Sequence, residues 1–162
     1  MAKLQTHQES RIGVDLGLNS LITLSNGEKV QPPKFLRKSE RKLKREQRRL
    51  SRKKRNSQNR RKQVIELARI HRKIRLQRTD FNHKLSRTLV NRFNVISFEH
   101  LRIPNMMKNH SLAKSIADAG WGQLRLYTSY KAEEAGKNVK VVDPYGTTRD
   151  CSNCEFHVPK RL

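Results

Sequence analysis

Between Arg37 and Arg78 twenty lysines and arginines meet only three acids, Glu40, Glu46 and Glu66. Few folds can absorb such a stretch, because like charges this dense cannot be packed inward and must face solvent or a partner. Its apolar residues are sparse but periodic. Leu36, Leu43 and Leu50 recur every seven residues, and Val64, Leu67, Ile70 (with His71), Ile74, Phe81, Leu85 and Leu89 recur mostly at threes and fours. Both patterns lay a narrow apolar stripe on an otherwise cationic helix. Asn56-Ser57-Gln58-Asn59 separates the two patterns. The economical arrangement is two helices packed stripe to stripe as an antiparallel hairpin.

This stretch holds seventeen of the twenty-three excess positive charges on the 162-residue chain. A solvated surface helix normally interleaves acids for i,i+4 pairing, and three acids among twenty bases is not interleaving. The remaining explanation is a polyanion whose counterions are released as Lys and Arg neutralise its phosphates. Arg41, Lys44, Arg45, Arg48, Arg49, Arg52, Lys53, Arg55, Arg60 and Arg61 are the candidate contacts. They are expected to hold backbone rather than read bases. No apolar run approaches the roughly 20 residues that span a bilayer, and Met1–Ser10 lacks the apolar centre of a secretory signal. Two cysteines three positions apart, Cys151 and Cys154, fit a reducing compartment rather than a disulfide framework. A cytoplasmic protein with no membrane partner is the expectation.

The rest of the chain has ordinary α/β patterning. Arg11–Leu16 alternates as a strand, with Ile12, Val14 and Leu16 on one face and Gly13, Asp15 and Gly17 on the other. Leu21–Leu24 and Glu28–Val30 make further strands around the turn Ser25-Asn26-Gly27, and Pro32-Pro33 ends the sheet. Val95–Glu99 and Val139–Val142 are strands, Pro104 to Asn109 a loop, and 111–119 and 122–135 helices interrupted at Gly120-Trp121-Gly122.

Asp15 and Glu99 each sit at or near a strand end. A carboxylate so placed can be a solvated acid, or it can hold Mg²⁺, which takes one or two carboxylates plus water and phosphate oxygens. The wider motif context favours the second. Gly-Val-Asp-Leu-Gly-Leu-Asn (13–19) resembles the first motif of a RuvC-type nuclease of RNase H fold, and Ile-Ser-Phe-Glu-His-Leu (96–101) resembles its second. Ser-Ile-Ala-Asp-Ala-Gly-Trp-Gly (115–122), Tyr-Lys-Ala (130–132), Val-Asp-Pro (142–144) and Cys-Ser-Asn-Cys (151–154) follow in order. Together they are similar to the TnpB/OrfB proteins of bacterial and archaeal insertion sequences, relatives of the type V CRISPR effectors. The resemblance implies an RNA-guided DNA endonuclease whose partners are DNA and a guide RNA. It also implies that Asp15 and Glu99 are catalytic metal-binding acids with Mg²⁺ as cofactor.

That family carries a third catalytic aspartate beyond its zinc ribbon and a recognition module ahead of its first strand. Neither matches a stretch of this sequence, so impaired cleavage is the expectation, with Asp143 and Asp150 as turn caps rather than substitutes. Cys151 and Cys154 make half of a zinc site, with His157 the nearby candidate for a third ligand. The expected organisation is a polar lead-in (1–10), a RuvC-like mixed sheet (11–34 and 92–143), an inserted basic helical hairpin (35–91) and the start of a zinc ribbon (144–162). Two other functions stay open, a nuclease-dead repressor-like DNA binder or non-functional fragment, and an unrelated basic RNA-binding protein.

Overall fold

The computed structural model describes residues 10–143. Strand β1 (Arg11–Leu16) turns through Gly17–Leu21 into β2 (Ile22–Leu24) and β3 (Lys29–Val30). The basic stretch then forms α1 (Phe35–Ser51) and α2 (Gln58–Arg92), and β4 (Val95–Glu99) follows. A short α3 (Ile103–Met106), then α4 (His110–Ala119), α5 (Trp121–Glu134) and β5 (Asn138–Val142), completes the order. The stretch expected to be a loop at 104–109 begins instead with α3, where Pro104 occupies a first-turn position that needs no N–H donor.

The five strands form one sheet in the order β3-β2-β1-β4-β5. β1, β2 and β3 pair antiparallel, whereas β1–β4 and β4–β5 pair parallel. Parallel pairing needs a long crossover connection, which α1 and α2 supply between β1 and β4, and α3–α5 between β4 and β5. Ile12, Val14, Leu16, Ile22, Leu24, Ile96 and Phe98 are buried, and register puts them on one face. Against that face pack Leu89 and Val90 of α2, Ile116 and Ala119 of α4, and Trp121, Leu124 and Ala132 of α5. The opposite face bears Gly13, Asp15, Thr23, Ser97, Glu99 and Lys140, none of them buried.

The hairpin is antiparallel: Arg60 reaches Leu50, Gln63 reaches Glu46, and Phe35 meets Phe81 edge-on at 6.2 Å. Its apolar seam is Leu43 against Ile70 and Ile74, flanked by Leu36 and Leu67. Val64, expected on this stripe, is exposed, because the seam runs out toward the hairpin tip. At about 1.5 Å per residue α2 is about 50 Å long. Its first half is arm and its second half is core, so one rigid element anchors the cations to the sheet. Asn56, at φ 60°, lets the chain reverse, and Ser57 caps α2 by accepting from the Arg60 N–H at 3.2 Å.

A polar seam that periodicity hides joins α2 to α5. Asn82 and Ser86 are fully buried, and Asn82 donates to Gln123 at 3.1 Å. Lys131 is also buried and donates to the His83 carbonyl and the Ser86 hydroxyl, both at 2.7 Å. Burial, then repulsion from Arg87, lowers the Lys131 pKa. The Ser-Ile-Ala-Asp-Ala-Gly-Trp-Gly segment serves this joint. Asp118 accepts from the Leu36 N–H at the start of α1 and pairs with Arg78 at 3.3 Å. Gly120 (φ 66°) ends α4 and starts α5, and a Cβ there would stand 3.0 Å from Arg78 Cδ and 3.2 Å from Asn82 Nδ2. Trp121 is buried. Among the described residues no helix is long and apolar enough to cross a membrane.

Candidate active site and nucleic-acid interface

Register builds the acid site. Val14 of β1 pairs with Phe98 of β4, so the next position brings Asp15 level with Glu99. Across the sheet Asp15 pairs with Thr23, and Glu99 pairs with Val142. Side chains alternate, so Thr23, Asp15, Glu99 and Val142 form one row on the uncovered face. The row floors a cleft of about 400 Å³, whose walls include Gly13, Ser25, Ser97 and Asp143. Ser25 fixes the rim: its hydroxyl accepts from the Gly13 N–H at 3.1 Å, and its own N–H donates to the Gly13 carbonyl at 2.9 Å. Gly17 turns the chain out of β1, and a Cβ there would lie 2.9 Å from the Ser20 carbonyl oxygen.

Asp15 is exposed and Glu99 half-buried, and the two carboxyl groups are close enough to influence each other. Desolvation, then the charge and hydrogen bond of Asp15, raises the Glu99 pKa. The stability consequence has a definite sign. With its folded pKa above the ordinary 4.5, Glu99 binds its proton more tightly when folded. Its contribution is therefore complete below pH 4.5 and is lost as pH rises through the folded value. In chelator, Glu99→Gln should raise the melting temperature at pH 7 and give no gain below about pH 4. An equal gain at both pH values would show that the strain is not electrostatic.

Asp143, expected as a turn cap, is exposed and lines the same cleft. Among the described residues no group of three His, Cys, Asp or Glu is gathered closely enough to hold a metal ion. Cys151, Cys154, His157 and Asp150 lie outside the described residues.

The hairpin sorts its ten candidate cations. Arg41, Arg48, Arg52, Lys53, Arg55 and Arg61 are exposed and not ion-paired within the described residues. Lys44 pairs with Glu40 at 3.1 Å, and Glu40 also holds Lys114 of α4 at 2.7 Å. Those two lysines, Lys114 first, hold the Glu40 pKa down to about 2. Glu46 accepts from Arg45, Arg49 and, across the hairpin, Gln63 at 2.9 Å, so its pKa is lowered chiefly by Gln63. Arg60 is half-buried and donates to the Leu50 carbonyl at 3.1 Å, closing the end of α1. Acids scattered thinly in the sequence thus fasten the hairpin, and cations on its outer faces stay free.

Residues 3–110 match the OrfB_IS605 family model, described as "Probable transposase". The chain belongs to this family. Residues 121–162 match the Cas12f1-like TNB domain. Among curated relatives, a "Putative RNA-guided DNA endonuclease" of Streptomyces pristinaespiralis is 40% identical over 144 residues, which cover 88% of this chain and 36% of that protein. InsQ of Escherichia coli K12, likewise described as a putative RNA-guided DNA endonuclease, is 33% identical over 160 residues, covering 90% of this chain and 40% of that protein. The chain therefore spans well under half the length of these relatives. A solved structure titled as the Cas12f1–sgRNA–target DNA complex matches 90% of this chain and 39% of its own at a TM-score of 0.58. At 14% identity that likeness concerns the fold.

Proposed function

We propose that this OrfB_IS605 chain carries the catalytic sheet and the phosphate-holding arm of an RNA-guided DNA endonuclease in the cytoplasm of a bacterial cell. The carrying observation is the in-register placement of Asp15 and Glu99 on adjacent parallel strands of the uncovered face. The sheet order, three antiparallel strands followed by two parallel ones, supports an RNase H-like reading of the core. The descriptions of the two relatives support DNA and a guide RNA as partners.

Two carboxylates fit the ligand demand of Mg²⁺, which completes its shell with water and phosphate oxygens. When bound, Mg²⁺ supplies an acidified water and charge relief for a leaving oxygen. Asp15 and Glu99 supply paired negative charge, which draws a divalent cation and is relieved by it. The neighbouring Thr23 and Ser97 give the cleft a polar floor, and the uncovered face lets a phosphodiester approach. The free arginines and lysines of α1 and early α2 hold the backbone electrostatically. Cys151 and Cys154 would give zinc half of its tetrahedral ligand set.

Titration of Mn²⁺, a spectroscopic stand-in for Mg²⁺, should show binding that Asp15→Asn weakens by at least about tenfold, the loss of one charged ligand. Plasmid nicking with Mg²⁺ should fall in parallel in Asp15→Ala. Equal nicking by the two proteins, with Mn²⁺ bound equally, removes the hydrolytic reading and leaves a DNA-binding relative without cleavage.

A further inference from the structure

A second cleft, about 550 Å³, opens beyond the carboxyl end of β1. Its walls come from three places distant in sequence: the β1–β2 turn (Gly17, Leu18, Asn19), the approach to α1 (Lys34, Arg37), and α4 (His110, Ser111, Lys114). In α/β sheets the crevice outside the carboxyl ends of parallel strands is the usual place for a ligand. Asn19 stands four residues past Asp15, so this cleft and the acid cleft share one end of the sheet.

The lining carries three cations, Lys34, Arg37 and Lys114, against two acids, Glu40 and Asp118. Lys114 is held by Glu40, whereas Lys34 and Arg37 are not ion-paired within the described residues. Asp118, the other acid in the wall, is committed to the Leu36 N–H and Arg78. Asn19, Ser111 and Ser115 add neutral hydrogen-bonding groups.

Lys34 supplies an independent reason to suspect a ligand. Its backbone sits at φ 53°, ψ 44°, in the left-handed region, immediately before α1. A lysine there is strained by about 1 kcal/mol or more, and glycine or asparagine would sit more easily. Nothing in the packing calls for a lysine: the residue is exposed and makes no side-chain cap. Strain kept at an exposed position on the wall of a polar cleft marks a side chain wanted for its charge.

We propose that this cleft binds one phosphate-bearing nucleotide unit of a single strand, with Lys34 and Arg37 on the phosphate and Asn19 and Ser111 on the sugar or base. A nucleotide fits the volume, and a strand seated there would run toward the acid cleft. Only that last relation rests on the nuclease reading.

The full chain tests it with 5′-phosphorylated thymidine dinucleotide, unphosphorylated dinucleotide and a duplex as probes. Amide chemical shifts should move at Asn19, Lys34 and Ser111 with the phosphorylated probe. Lys34→Gln, which keeps the backbone strain, should weaken that probe by about tenfold, the loss of one charge-assisted bond. Its effect on the duplex should be much smaller, because the arm carries that binding. Lys34→Gly should show the same loss with an equal or higher melting temperature, a combination that a purely structural lysine would not produce. The proposal is overturned if both Lys34 variants bind the phosphorylated dinucleotide as tightly as the parent, or if the shifts fall only on the hairpin. Failure of metal binding at Asp15 would sink the nuclease reading and leave this result untouched.

Discussion

Between about 50 and 200 mM salt the chain should lose about 10³ in affinity for duplex nucleic acid, the lower end of the range for 6–10 engaged phosphates. The magnitude follows from the hairpin's internal pairing. α1 is 17 residues, about 25 Å, and a duplex presents roughly one phosphate per 1.7 Å, about half of them on the near side. Roughly seven phosphates are therefore within reach. Of the ten candidate cations, Glu40 and Glu46 occupy Lys44, Arg45 and Arg49, and Arg60 is fixed on Leu50. Six remain free, which sets the expected slope of log affinity against log salt at about −5. Fluorescence anisotropy across a salt series measures it directly. Arg48→Glu with Arg52→Glu should flatten the slope by about two and weaken all duplex sequences alike, because backbone contacts carry no sequence information. A slope near zero in the parent chain would show that the hairpin does not hold phosphate.

The second large effect is on stability. Trp121 is 2% exposed, beneath the sheet and at the hinge between α4 and α5. Trp121→Ala should cost about 3–5 kcal/mol through lost burial and the cavity left behind. For a chain of this size that is a fall of about 10 °C in melting temperature. Trp121→Phe should cost far less. Among the described residues the indole N–H is buried without a hydrogen-bond partner, so removing it relieves a desolvation penalty that offsets the smaller ring. Thermal denaturation of both variants separates the terms: equal losses would mean that the indole N–H is satisfied in solution. Set beside Glu99→Gln, the pair distinguishes residues kept for packing from a residue kept against stability.

Where the sequence was read correctly, the signal was local. The alternation in Arg11–Leu16 and Val95–Glu99, the turn at Ser25-Asn26-Gly27 and the stripe Leu36-Leu43-Leu50 each encode a period that a strand or helix must obey. The break at Asn56-Ser57 was legible because left-handed backbone and helix capping favour these side chains. Where it failed, the decision belonged to a partner distant in sequence. Asn82 and Ser86 are buried because α5 offers Gln123 and Lys131, and no periodicity on α2 announces that. Val64 keeps the helical period yet faces solvent, since α1 gives it no seat.

Sequence by itself determined which segments are helix and strand, the short α3 excepted, and that the hairpin is a cationic arm, because both follow from residue type and spacing along the chain. Only the tertiary structure decided that Asp15 stands level with Glu99, eighty-four positions later, and that Asp118 holds the start of α1. It alone also gathered Asn19, Lys34 and Ser111 around one cleft. Strand register and the meeting of distant segments are set by the shared core, and that free energy exists only once Ile96, Phe98, Leu124 and their neighbours are buried together.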